Sequence, residues 1–176
     1  MTEAQELLPP QPRAFNPAGV VTTAHMQLTP PPFIRPHRYT GRRAQGVRYE
    51  KHVHMMLSQR YPGQHVQGPW LRFYSNGKPR WCQPDALLVD ITQGRIVVLE
   101  VKYQHTADAW WQLNHLYVPV LRAMFPPTLW ALSTCEIVKW YDPATWFPCR
   151  VAMLSDPMMS KGNEFGVHIW RKGAWL

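Results

Sequence analysis

Two nearly continuous aliphatic runs, ALLVDI at 86–91 and RIVVLEV at 95–101, interrupt a chain that is otherwise mixed in polarity. Both favour extended backbone, and they bracket Thr92, Gln93 and Gly94, so they read as the strands of a hairpin. Upstream, GVRYEKHVHMMLSQRYPG spaces Val47, Val53, Met56 and Leu57 along one stripe. That spacing predicts a helix over 47–60, ended by Tyr61, Pro62 and Gly63. Residues 64–83 read as one or two strands around the turn Ser75, Asn76, Gly77. Thr106 is placed to cap a helix beginning near Ala107, with Asp108 in its first turn. That helix would carry Trp110, Leu113, Tyr117, Val120, Leu121 and Met124 toward a core. Pro119 should kink it, and Pro126 with Pro127 should stop it. TLWALST reads as a buried strand, EIVKWYD as its continuation or a further strand, and CRVAML and GVHIWRK as the last strands. The predicted fold is α/β: a mixed β-sheet flanked by helices, in the order αβββαβ.

The first 45 residues break this pattern. Prolines recur through them, including Pro30, Pro31, Pro32 and Pro36, and proline resists both helix and ladder pairing. The expectation is an extended, basic, polyproline-like arm over 1–45, with the folded domain over 46–176. Such an arm suits a protein partner or a homo-oligomer contact. Length and composition (176 residues, 45% hydrophobic, nine Trp) allow one domain with a substantial core. No apolar run is long enough to span a bilayer, and MTEAQELLPP lacks the pattern of a secretory signal. The expected location is cytoplasmic: the host cytoplasm, or a virion if the chain is phage-encoded. Cys82, Cys135 and Cys149 are three, widely spaced, with no CxxC pair, which argues against a zinc ribbon or a disulfide framework.

Charge divides the chain. Between Leu7 and Pro84 there are eleven Lys or Arg and a single acid, Glu50; from Asp85 onward there are eight of each sign. Arg35, Arg38, Arg42, Arg43, Arg48 and Lys51 cluster within seventeen positions, the footprint of a polyanion partner such as nucleic acid. His52 and His54 would point about 200° apart on a helix, so a shared metal is not expected, and phosphate contact or plain exposure is. Trp110 and Trp111 should divide between core and surface. No GxSxG, Walker A loop or HExxH is present.

The hairpin carries the candidate chemistry. Glu100 and Lys102 alternate onto one strand face, with Val97, Leu99 and Val101 on the other. A two-residue turn at Gln93 and Gly94 would pair Asp85 with Lys102 and set Glu100 diagonally beside Asp85. Two carboxylates converging at a strand end suit a hard divalent cation, Mg2+ or Mn2+, with the backbone carbonyl of Val101 as a further oxygen ligand. A lysine beside them can orient an attacking water or stabilise charge growing on a phosphate.

Pro84 and Asp85, then fourteen residues, then Glu100, Val101 and Lys102 resemble the PD-(D/E)xK, restriction-endonuclease-like nuclease superfamily. The resemblance covers about half the chain, from Val47 to Ser133. It implies a metal-dependent DNA nuclease with Asp85 and Glu100 as metal ligands and Lys102 as a catalytic group. It also implies an extra acid from the preceding helix, where Glu50 stands. By analogy with small phage or mobile-element proteins, such an enzyme would process DNA ends or junctions; the alternative is a non-catalytic DNA-binding or virion-assembly component keeping the fold. Some branches carry Gln, three residues and Tyr on the following helix. Here Gln112 and Tyr117 are one residue too far apart to share a helical face, though Gln112 could still reach the site. The iron–sulfur branches need four cysteines and do not fit.

Overall fold

The computed structural model describes residues 8–145, 151–162 and 164–173. In chain order these form β1 (Val21–Gln27), α1 (Gly41–Arg60), β2 (His65–Gln67), β3 (Trp70–Ser75), β4 (Lys78–Cys82), β5 (Ala86–Asp90) and β6 (Arg95–Gln104). Then come α2 (Ala107–Gln112), a π turn (Leu113–Tyr117), α3 (Val118–Met124), β7 (Ala131–Trp140), β8 (Val151–Met153) and β9 (Phe165–Ile169). The fold is mixed α/β. One sheet has six strands in the order β2-β5-β6-β7-β9-β8; the other is an antiparallel three-stranded sheet, β1-β3-β4. Residues 64–83 therefore hold three strands, not one or two. They divide between the sheets, with β3 and β4 turning tightly at Asn76 and Gly77, both at positive φ.

Period-two alternation in β6 builds a core on each face of the large sheet. Val97, Leu99 and Val101 face α1, meeting Val53 and Leu57. Ile96 and Val98 face the other way, toward Leu113, Val120 and Leu121 of the second helical segment and Leu71 and Phe73 of β3. Each fully buried aliphatic side chain contributes roughly 1.5–3 kcal/mol. The two cores clamp β5 and β6 from both faces. Cys82 and Cys135 are buried, one in each core; Cys149 lies outside the described residues.

Three expectations are corrected. The hairpin turn is four residues, 91–94, because the last ladder pair is Asp90↔Arg95. Its shape comes from Asp90, whose Oδ1 accepts the Gln93 N–H, and from Gly94 at φ +61°, where a Cβ would lie 2.6 Å from the Leu129 carbonyl. The helix begins at Gly41 rather than Val47, so Arg42 and Arg43 belong to its first turn. Finally, the proline-rich segment does pair. The proline-free window 18–29 supplies β1, antiparallel to β3, and Ala18 is fully buried.

Pro119 explains much of how that segment is held. It has no N–H for the His115 carbonyl four residues back, and Ala18 donates to that carbonyl instead at 2.8 Å. Trp111 Nε1 donates to the Pro9 and Pro10 carbonyls, and Arg80 to those of Asn16 and Pro17. Trp110 packs on the core while Trp111 engages the arm, the division expected of the pair.

Candidate active site

The site forms where the β5–β6 ladder ends. Ala86↔Leu99 is the final pair, and continuing the register sets Asp85 opposite Glu100 and Pro84 opposite Val101. Proline has no N–H to give, so the ladder stops there. The side chain of Asp85 takes over: its Oδ2 accepts the Val101 N–H at 2.6 Å, while its own carbonyl accepts from Gly68 at 2.8 Å. In an antiparallel pair a residue presents N–H and C=O to the same neighbour, so the Val101 carbonyl also faces this edge. The pairing expected from a two-residue turn was Asp85 with Lys102. The longer loop moves the register by two positions, which keeps the side chains on the same face.

Glu100 is almost wholly buried, 3% exposed, on the face covered by α2 and the π turn. Lys102, two residues on, donates to Glu100 Oε1 at 2.6 Å and to Gln112 Oε1 at 2.9 Å. Burial, then the charges of Glu100 and Glu50, push the Asp85 carboxyl well above its usual range. Burial likewise raises Glu100, and Lys102 offsets this only in part. Burial alone would lower the Lys102 ammonium, but the charge and hydrogen bond of Glu100 together with the charges of Asp85 and Glu136 outweigh it, so Lys102 is held above its ordinary value and stays charged at neutral pH. Glu100 Oε2 is buried with no partner of hydrogen-bond geometry.

Glu50 on α1 lies near enough for its charge to raise both Asp85 and Glu100. It is half-exposed and engages His54 Nε2 at 3.3 Å. The exposure expected of His54 is corrected: it is 5% exposed and stacks on His65, which in turn meets the Ser58 hydroxyl. His52 lies on the opposite flank of α1, lining a separate cavity with Arg48. Of the basic cluster, Arg35 and Arg38 are exposed ahead of α1, Arg42 and Arg43 are exposed in its first turn, and Arg48 and Lys51 are exposed further along. Arg43 and Glu50, seven residues apart, share a helical flank.

Three residues were not legible as part of this site. Glu136, paired across β6–β7 with Glu100, is fully buried and bonded to His105 Nδ1 at 2.5 Å. Burial raises its carboxyl, partly countered by His105. The signal was there: an acid inside the apolar strand run CEIV. The third is Tyr117. On a regular α-helix it would miss the face of Gln112, but the π turn at 113–117 absorbs the extra residue. Tyr117 is buried, and burial with the charges of Glu100 and Asp85 pushes its hydroxyl well up, so it remains a protonated donor beside Glu100.

No protein-family model, curated protein or solved structure matches the chain. Among the described residues, no three His, Cys, Asp or Glu side chains converge as a ready-made metal cage, and no helix is long and apolar enough to cross a membrane.

Proposed function

We propose that the protein is a metal-dependent DNA nuclease of the PD-(D/E)xK type, hydrolysing phosphodiester bonds with Asp85, Glu100 and Lys102. The observation that carries this reading is the meeting of two charge-destabilised carboxylates, Asp85 and Glu100, at a ladder end closed by Pro84, with a charged lysine bonded to one of them. Two carboxylates cost free energy there unless a cation joins them. The partnerless Glu100 Oε2 and the edge-facing Val101 carbonyl supply oxygen donors of the kind Mg2+ or Mn2+ takes. Glu50 stands near as a further acid. A site of one or two carboxylates completed by waters and substrate phosphate suits Mg2+ better than an all-protein cage. When bound, such a cation supplies Lewis acidity toward the phosphate and toward water.

The chain's own residues do the rest. Lys102, kept as an ammonium, stabilises charge developing on the phosphate and orients the attacking water rather than acting as a base. Gln112 fixes the direction of that ammonium. Tyr117 presents a buried, protonated hydroxyl near Glu100 from the helix side. The exposed arginines along α1 supply phosphate contacts; with no acid in its first turn, Arg42 and Arg43 work against the helix dipole, so they serve something other than helix stability.

The Lys102–Glu100 ion pair also suits the second reading, a non-catalytic DNA-binding or assembly component, since it satisfies one carboxylate oxygen without a metal. The deciding experiment incubates the protein with linear, circular, nicked and branched DNA, with Mg2+, Mn2+ or EDTA. Metal-dependent cleavage lost in Asp85→Asn supports the nuclease; DNA binding without cleavage of any substrate supports the second reading.

A further inference from the structure

Helix α1 has a second flank. Opposite Glu50 and His54, the stripe Gln45, Arg48, Tyr49 and His52 walls a cavity of about 300 Å³, closed on the far side by residues near the ends of β6, β7 and β9. Arg48, Lys139 and Lys172 bring three cationic side chains to it; among the described residues none of the three has an ion-pair partner, and no acid lines the cavity. Its floor is aromatic and buried. Tyr49 and Trp170 are each 5% exposed, and the Tyr49 hydroxyl donates to the Trp170 carbonyl at 3.0 Å. Tyr103 is only partly buried, its ring 4.9 Å from the Lys139 ammonium. The Trp170 indole N–H is buried without a hydrogen-bond partner.

This combination selects a chemistry. Three unpaired cations around one small space call for a phosphate, and a partly exposed tyrosine beside them offers a face for a planar ring. Gln45 adds an amide able to read a base edge. The volume lies at the lower end of that of sites enclosing small molecules, so it suits one nucleotide and not a duplex. Because Tyr103 follows Lys102 on β6 but points to the other face, the cavity lies across the sheet from the carboxylates rather than within their site.

We infer that this cavity binds a single phosphorylated nucleoside, with the phosphate on Arg48, Lys139 and Lys172 and the base against Tyr103. The ligand is either a free mononucleotide or one unpaired nucleotide of a strand. The assignment takes its ligand class partly from the nuclease reading, but it requires no cleavage and is tested without metal.

The test measures anisotropy of a 3′-labelled eight-nucleotide single strand in EDTA, with competition by deoxyadenosine 5′-monophosphate, deoxyadenosine or inorganic phosphate. The monophosphate should displace the strand at least about tenfold better than the other two. The Lys139→Ala/Lys172→Ala variant should lose at least about tenfold in strand affinity and its response to the monophosphate. Tyr103→Leu should weaken the monophosphate while leaving inorganic phosphate unchanged, which separates ring binding from simple charge; melting curves confirm that each variant is folded. Direct calorimetry of the monophosphate distinguishes the sources: heat lost in the double variant while strand affinity is unchanged assigns the cavity to a free nucleotide. Competition by inorganic phosphate equal to that by the monophosphate overturns the inference, as does a double variant that binds both ligands like the parent. Cleavage activity with no nucleotide binding sinks this inference alone, whereas nucleotide binding with no cleavage sinks the nuclease reading alone.

Discussion

Glu100 on β6 and Glu136 on β7 are register partners, both buried and on one face of the sheet, yet the protein treats them differently. Glu136 is tied to His105, itself buried and held by its backbone N–H to the Trp140 carbonyl. Glu100 has a lysine on one oxygen, and each of the two carboxylates keeps its second oxygen buried with nothing of hydrogen-bond geometry on it. Burial pushes both carboxyls up. What separates them is their company: Glu136 is joined to a histidine, whereas Glu100 carries a lysine and lies beside a second raised carboxyl, Asp85, so Glu100 is the one the proposed reading assigns to a cation. That contrast divides the cluster into a β5–β6 half that performs the proposed chemistry and a β7 half that positions it.

The sharpest way to break the comparison is to neutralise each carboxyl in turn. Glu100→Gln or Asp85→Asn should cut metal-dependent cleavage by about a thousandfold or more, since a Lewis-acid site is worth several kcal/mol. Glu136→Gln should cost only about tenfold to a hundredfold, the scale for groups that orient ligands rather than supply them. Equal losses in the gel-based cleavage assay would erase the distinction between the halves. Lys102→Met comes next, with turnover down roughly a hundredfold to ten-thousandfold and DNA affinity nearly unchanged; parallel losses in both would reduce Lys102 to a phosphate contact.

The same contrast has a pH signature. Asp85 and Glu100 titrate near 4 in the unfolded chain and higher in the folded one. The unfolded state therefore releases its protons first, and metal-free stability falls as pH rises from about 4 through the raised folded values. Glu100→Gln should flatten that limb and melt higher than the parent at neutral pH, while added Mg2+ should raise the parent's Tm but not the variant's. A metal-free parent whose Tm climbs between pH 4 and 7 in step with Glu100→Gln would contradict the burial argument.

How much of this the sequence carried depends on how local each cause is. Alternation alone put Glu100 and Lys102 on one face, and the aliphatic runs marked β5 and β6. The register was not legible, because the four-residue loop depends on the Asp90 side chain and on the approach of Leu129 to Gly94, a contact made thirty-five residues away. The pairing of the proline-rich segment was hidden for a related reason. Its prolines were visible, but the carbonyl that Pro119 frees for Ala18 became visible only in three dimensions. Glu136 was overlooked because its partner His105 lies thirty-one residues earlier in the chain.

The smallest expected effect tests the residue brought back by the π turn. Tyr117 is a protonated hydroxyl beside Glu100, on the helix that also carries Gln112. Tyr117→Phe keeps the ring in the core and removes one donor, a change of about 0.5–1.5 kcal/mol, or some threefold to tenfold in rate if the hydroxyl steadies Glu100 during turnover. The loss should be greatest at low Mg2+ and shrink at saturating Mg2+, because a bound cation takes over the work of holding Glu100 in place. Deleting Leu116, which leaves a regular helical spacing between Gln112 and the tyrosine, separates the turn from the residue. If the π turn exists only to absorb an extra residue, the deletion variant should fold and cleave nearly like the parent, with the hydroxyl still at Glu100. If the turn is required to meet the bond from Ala18 to the His115 carbonyl, the variant should lose stability while keeping its metal dependence. A Tyr117→Phe variant indistinguishable from the parent at every Mg2+ concentration would place Tyr117 with Glu136, on the side of the cluster that shapes the site without acting in it.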